Sequence, residues 1–338
     1  MDGINTVTGP VPADSLGTVL THEHIFVVNE DHRLNFDPGW NEDDQVAKAV
    51  ALLDEAHRAG VDTLMDVSVA GLGRNVHRVA RVAERVDLNI VVATGLYTYH
   101  DLPFPFHYTG PGLGFDVPDP LEQRFIADLT EGIGDTRVTA GFLYCAIEAE
   151  GLSEGVERVM RAVGRAAVAT GAPVLVHTNP HTQSGLIAQR VLAEEGVDAT
   201  RVMIGHCGDT ADVDYLMRLA DAGSVIGLDR FGLDVLLPYE TRFATLLELL
   251  RRGYGDRISL SQDAFCYSEW FDADTMREVA PDWNYLQITG RVVPDLLHAG
   301  IEQGVIDQML VEVPRRLLTR SCADGGARVY DLSHGDRR

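Results

Sequence analysis

The chain has 338 residues, with 28 Lys+Arg against 51 Asp+Glu and a formal net charge of −23. At 45% hydrophobic and 23% charged it has the composition of a globular protein and not of a disordered one. So acidic a chain repels the phosphates of nucleic acids and anionic membranes, which excludes both as expected partners and leaves a small molecule.

The first residues, MDGINTVTGPVPADSLG, have neither a basic start nor an apolar run. They read as a short β extension, not as a signal peptide. No apolar stretch approaches the roughly 18 residues of a membrane span. Short apolar runs then alternate with amphipathic stretches. Strands are predicted at 18–24, 63–67, 90–94, 139–147, 173–177, 202–206, 224–228 and 258–262. Several are rich in Val, Ile and Leu, as in a parallel sheet buried on both faces. Helices are predicted at 43–59, 153–169, 182–195, 210–222 and 240–252. In the first, Val46, Val50, Leu53 and Ala56 recur at three- and four-residue steps. Ser153 and Asp209 are the expected N-caps of the 153–169 and 210–222 helices.

Length alone allows two domains, but eight strand–helix alternations without a linker predict a single (β/α)8 TIM barrel over 1–338. Two connections are long and aromatic. The first, 97–118, carries Tyr97, Tyr99, Phe104, Phe106 and Tyr108; the second, 264–282, carries Phe265, Tyr267, Trp270 and Phe271. Leaving strand C-termini, such loops wall a substrate pocket, with Tyr99, Trp270 and Phe271 as the expected binding residues. Packing for stability or a dimer interface is the competing reading.

Twelve histidines are present. His22 and His24 lie two apart on the first strand and so face one side. His177 and His206 each end a strand, and Asp263 follows the eighth. A lone His ending a buried strand is commonly structural. Four imidazoles and a carboxylate at C-terminal strand ends, together, make a coordination set for zinc or a similar divalent metal. His32, His57, His77, His100, His107, His298 and His334 fall in helices, loops or the tail and read as solvated or capping groups; His181 lies in the loop leaving the fifth strand. Cys145, Cys207, Cys266 and Cys322 form no CxxC pair, as expected of a reducing, cytoplasmic location. No Gly-x-Ser-x-Gly elbow, P-loop or dinucleotide fingerprint occurs.

These segments carry a resemblance. THEHIFV (21–27), ATGLYTYHDLPF (93–104), VLVHTNPHTQSG (174–185), RVMIGHCGDT (201–210), IGLDRFGLD (226–234) and VPRRLLT (313–319) follow one another as they do in the phosphotriesterase-like lactonases of the amidohydrolase superfamily. The resemblance implies a homodimeric barrel with a metal site, usually of two metals, at the C-terminal end of the strands. It implies His22, His24 and Asp263 on the more buried metal and His177 and His206 on the more exposed one. It further implies Asp263 as proton acceptor, Tyr97 beside the substrate carbonyl, Arg230 near the metals and Trp270 over the leaving group or acyl chain.

One position departs from the pattern. The family's fourth strand supplies a carboxylated lysine that bridges the metals, and in AGFLYCAIEAEG (140–151) its place is taken by Tyr144. A phenol offers one oxygen where a carbamate offers two. Tyr144 is therefore expected to ligate one metal or bridge both; a one-metal site and a space-filling aromatic in a site without turnover are the alternatives. Glu148, four residues on and on the same face of a regular strand, is the alternative ligand, but it is expected to lie beyond the metals in the substrate loop.

The implied activity is lactone ring opening by metal-activated hydroxide, with phosphotriester hydrolysis as a side activity. The alternatives are hydrolysis of amides or other esters, and a binding barrel that has lost turnover. The expected metal is zinc, one or two per chain, with cobalt, iron or manganese able to replace it.

Overall fold

Residues 3–36 and 39–319 are described by the computed structural model; Cys322 and His334 lie outside them. The chain opens with an antiparallel hairpin of β1 (Ile4–Thr6) and β2 (Gly9–Val11). There follow β3 (Val19–Val27), α1 (Glu30–Phe36), α2 (Glu42–Arg58), β4 (Thr63–Asp66), α3 (Val76–Ala83), β5 (Asn89–Leu96), α4 (Pro120–Thr130) and β6 (Phe142–Ile147). Next come α5 (Glu154–Thr170), β7 (Val174–Thr178), α6 (Ser184–Glu194), β8 (Val202–Ile204), α7 (Val213–Asp221), β9 (Val225–Leu228) and α8 (Tyr239–Arg251). The chain continues through β10 (Ile258–Leu260), β11 (Phe265–Ser268), α9 (Ala273–Val279), α10 (Val293–His298), α11 (Gln303–Asp307) and α12 (Val313–Leu318).

Among the described residues, β3 to β11 form one parallel sheet in the order β10-β9-β8-β7-β6-β5-β4-β3-β11. Its two ends, β10 and β11, are consecutive in the chain, so the sheet curls back on itself. Thr21 Oγ1 and Ser259 Oγ lie 2.7 Å apart, and His22 N donates to Ser261 Oγ at 3.1 Å. The result is a TIM-barrel-like α/β fold. Parallel strands put all their C-terminal ends at one rim, where functional groups of such folds collect.

Two apolar layers hold this arrangement. The outer one packs helices on the sheet, with Leu53, Val79, Met160 and Leu216 among its members. The inner one fills the curl with Val19, Met65, Val91, Phe142, Leu175 and Met203, and Tyr144 belongs to it. Leu317 and Leu318 of α12 also join it.

Several sequence expectations are corrected. The eighth strand is not continuous over 258–262. It breaks at 261–264, where Asp263 takes a left-handed backbone (φ 58°), and resumes as β11 on β3 where a loop was expected. The 139–147 strand starts only at Phe142, because Ala140 N–H bonds the Asp128 carbonyl instead of the ladder. β8 stops at Ile204, so His206 lies past its strand. Ser153 caps α5 as expected, but α7 is capped by Asp212 and not by Asp209, whose carboxylate is taken by two arginines. Helices α1, α3, α4 and α9 to α12 are additional to those predicted.

The β3–β4 register shifts between Leu20 and Glu23. Strand residues alternate sides. Counted from inward-facing Val19, an unbroken strand would turn Glu23 inward, and the bulge reverses that parity so that His22 and His24 face the interior.

Gly95 on β5 pairs with Tyr144 on β6 at φ 149°, and a Cβ there would meet the Tyr144 carbonyl oxygen at 1.8 Å. Gly95→Ala is expected to destabilise the fold by more than about 3 kcal/mol, read by chemical denaturation, because neither backbone can give way.

Candidate metal centre

Four imidazoles meet at the rim, and each has its outer nitrogen occupied. His22 Nδ1 lies 2.7 Å from Asp229 Oδ2, and His206 Nδ1 lies 3.1 Å from Asp229 Oδ1. His24 Nδ1 is bonded to Ser68 Oγ at 2.9 Å, and His177 Nε2 to Glu148 Oε1 at 2.9 Å. The inner nitrogens therefore turn towards one another. Pinning the outer nitrogen of an imidazole is how proteins orient it and fix its tautomer for a metal.

Asp263 Oδ1 lies 3.6 Å from His22 Nε2 and 3.4 Å from His24 Nε2. Tyr144 Oη lies 3.3 Å from His22 Nε2. With metal–ligand bonds of about 2.0–2.1 Å, the edges of a tetrahedron come to roughly 3.3–3.4 Å. His22, His24 and Asp263 thus form a group able to hold an ion, with the Tyr144 oxygen on its edge.

On the other side, His206 Nε2 and His177 Nδ1 are 2.7 Å apart. Both rings direct their outer N–H at a carboxylate, so two lone pairs face each other unless a proton or a cation lies between them. The donor chemistry fits a cation.

Two of the candidate ligands sit on strained backbone. His206 (φ 62°) and Asp263 (φ 58°) are left-handed non-glycine residues, a conformation that persists only where the surroundings over-determine it. His206 N–H is taken by Asp229 Oδ1 at 2.7 Å.

The charges are arranged in a chain. Arg230 donates from Nε to Asp263 Oδ2 and from Nη1 to Asp209 Oδ2, each at 2.9 Å, and Arg242 holds Asp209 Oδ1 at 2.8 Å. Against the burial that would raise it, His22, Arg230 and His24 keep the Asp263 carboxyl well below its usual range. Asp229 is likewise lowered, burial being outweighed by His206 and His22. Burial raises the Tyr144 and Tyr97 phenols well above their ordinary value.

A cavity of about 630 Å³ opens onto these groups and is lined by the expected Tyr97, Tyr99, Trp270 and Phe271. Tyr97 Oη lies 3.3 Å from His177 Nδ1 and is bonded to Tyr99 Oη; its ring stacks at 6.1 Å on Tyr144. Trp270 and Phe271 are half exposed, and Phe271 stacks on Phe265. Other loop aromatics lie elsewhere. Phe104 and Tyr108 are exposed, Phe106 is buried beneath Arg124, and Tyr267 packs on Trp40.

Sequence reasoning missed Asp229 and did not foresee the bonding role of Glu148. Asp229 follows β9 and so met the same strand-end criterion that singled out Asp263. Glu148 lies in the loop after β6, on the far side of His177 from the inner nitrogens, and its carboxylate binds His177 Nε2 and Asn179.

Burial, then the neighbouring His206, hold His177 neutral far below the ordinary histidine value; burial and Arg230 lower His206. The hydrogen bonds from His177 and Asn179 depress Glu148 despite burial. Below about pH 6.5 the unfolded chain takes up protons that these native groups refuse. Chelated protein should therefore lose stability as pH falls from about 6.5 towards 3, and His177→Gln should flatten that slope, as measured by denaturant titration across the pH range.

The Phosphotriesterase family model matches residues 2–318. The chain is 46% identical over 321 residues to the Phosphotriesterase homology protein of Mycobacterium tuberculosis, covering 95% of this chain and 98% of that one. It is 37% identical over 311 residues to the Aryldialkylphosphatase of Saccharolobus solfataricus, covering 91% and 97%. The solved structure of the phosphotriesterase from Mycobacterium tuberculosis matches with a TM-score of 0.92 at 46% identity, covering 94% of this chain and 98% of that chain. A His/Asp rim on a TIM-barrel-like sheet and homology over nearly the whole length lead to one conclusion: the chain belongs to the phosphotriesterase family of metal-dependent hydrolases.

Proposed function

We propose that the protein is a lactonase, a single-domain closed (β/α)8 barrel whose C-terminal rim holds a divalent metal, zinc first, with phosphotriester hydrolysis as a side activity. One observation carries the reading: four imidazoles with tethered outer nitrogens face one carboxylate, Asp263, beside an apolar cavity large enough for a small ester. His22, His24 and Asp263 would hold the metal, with Tyr144 as a further oxygen ligand and His177 and His206 facing a second position. When bound there, a divalent ion would supply Lewis-acid polarisation of an ester carbonyl and hydroxide near neutral pH.

The chain's own groups supply the rest. Tyr97 Oη, unionised, donates a hydrogen bond to the oxygen that gains charge as the ring opens. Asp263 receives the proton of the attacking water and hands it to the leaving alkoxide. Arg230 cannot relay that proton, since its guanidinium stays charged; it holds Asp263 in place through Oδ2. Tyr99, Trp270 and Phe271 cover the acyl or ring portion and exclude water. The exposed Phe104, Tyr108 and Phe115 support a self-association face and hence a homodimer. Buried, unpaired Cys145 and Cys207 support a cytoplasmic location.

A panel of lactones, N-acyl amino acids and aryl phosphotriesters tests the assignment. Lactones are expected to turn over fastest, and chelation or His22→Ala to cut the rate by about 100-fold. Turnover that survives both would defeat the proposal, and preferential N-acyl cleavage would shift it to amide hydrolysis. Tyr144→Phe keeps the ring but removes the oxygen. Metal content per chain should fall, and the tyrosinate-to-metal absorption of the iron(III)-loaded protein should vanish.

A further inference from the structure

We propose that Glu23, the residue between the two histidines of β3, is a positioning residue that sets the Asp263 carboxylate by replacing the hydrogen bonds its broken strand cannot make. The inference rests on the reading of Asp263 as a metal ligand.

Glu23 is wholly buried. It lies on the opposite side of β3 from His22 and His24, and its carboxylate spans the break between β10 and β11. Oε1 accepts from Ser261 Oγ at 2.6 Å and from Gln262 N at 2.9 Å, and Oε2 accepts from Ala264 N at 2.7 Å. The two backbone donors flank Asp263 on either side. Asp263 N–H itself goes to the His22 carbonyl at 3.0 Å.

The left-handed residue at 263 interrupts the ladder. Buried N–H groups require a partner, and the planar carboxylate of Glu23 meets both. It thereby fixes the peptide planes before and after Asp263, so the strained backbone cannot relax into a regular strand. Ser261 Oγ also accepts His22 N–H at 3.1 Å, which ties the break back to β3. Trp283 Nε1 holds the Gln262 carbonyl from outside at 2.8 Å. The strand bearing two imidazoles thus also grips the carboxylate that meets them.

Glu23→Gln is the decisive variant. Each oxygen of Glu23 faces a backbone N–H, so an amide in either orientation sets an NH2 against an N–H. Size and shape stay the same while one acceptor becomes a donor. In the full chain, titrated with cobalt(II) alone, Glu23→Gln is expected to bind about tenfold more weakly or worse, with an altered cobalt absorption spectrum. Circular dichroism of the metal-free variant should remain that of the wild type. Glu23→Asp keeps the charge but is one methylene shorter and reaches only one N–H; it should fall between the two, and it decides the matter if Glu23→Gln does not fold. Wild-type affinity and spectrum in a folded variant would overturn the clamp while leaving the metal reading intact. A wild-type protein that bound no cobalt would overturn both.

Discussion

Asp229 places one carboxylate, fully buried, against the outer nitrogens of His22 and His206. That contact decides which way two rings from opposite parts of the sheet present their remaining nitrogens. Burying a charge is costly unless it is paired and hydrogen-bonded, and removing one partner of such a pair costs about 3–5 kcal/mol. The rings cannot turn away without stranding the carboxylate. Glu148 and Ser68 do the same for His177 and His24, so the four rings turn their inner lone pairs towards the space beside one further carboxylate, Asp263. Such a surface is complementary to a cation.

The inner face needs backbone to match. His206 and Asp263 lie just past their strands in left-handed conformations, which direct their side chains inward from points where a regular strand would already have ended or alternated away. The strain is held by polar groups drawn from neighbouring strands: Asp229 on the His206 N–H, Glu23 on the amides around Asp263. The apolar interior directly beneath, with Phe142, Leu175 and Met203, offers no alternative partners. Rigidity at the rim therefore follows from pairing above and close packing below.

Charge and cavity divide the site's labour. Arg230, between Asp263 and Asp209, contributes a fixed positive charge that keeps Asp263 ionised. The large net negative charge of the chain plays no part in this, because the decisive charges are buried and paired. The cavity above is chiefly aromatic and aliphatic, and its outer wall, Trp270 and Phe271, is half exposed. The polar side of the site is thus fixed by buried, paired charges, while the apolar side is partly open to solvent.

Much of this was legible in the chain itself. Apolar runs without alternation announced buried parallel strands, and eight alternations with helical segments announced the TIM-barrel-like curl. His22, His24, His177, His206 and Asp263 stood out because strand ends in such a fold share one rim. Short-range pattern alone could not locate Asp229, Glu148 or Glu23 in their roles, since each acts on a residue at least 20 positions away. Asp209 looked like a helix cap because Asp is a common cap; only the fold brought Arg230 and Arg242 to it. The pattern His-x-His required one shared side but not the inner one. That choice was made by the bulge between Leu20 and Glu23, and the break at Asp263 was made by a carboxylate on another strand. Sequence thus determined which chemistry was present and on which rim, because periodicity is local. The orientation of each donor was decided by the tertiary structure, because it depends on hydrogen bonds that close only when distant strands meet.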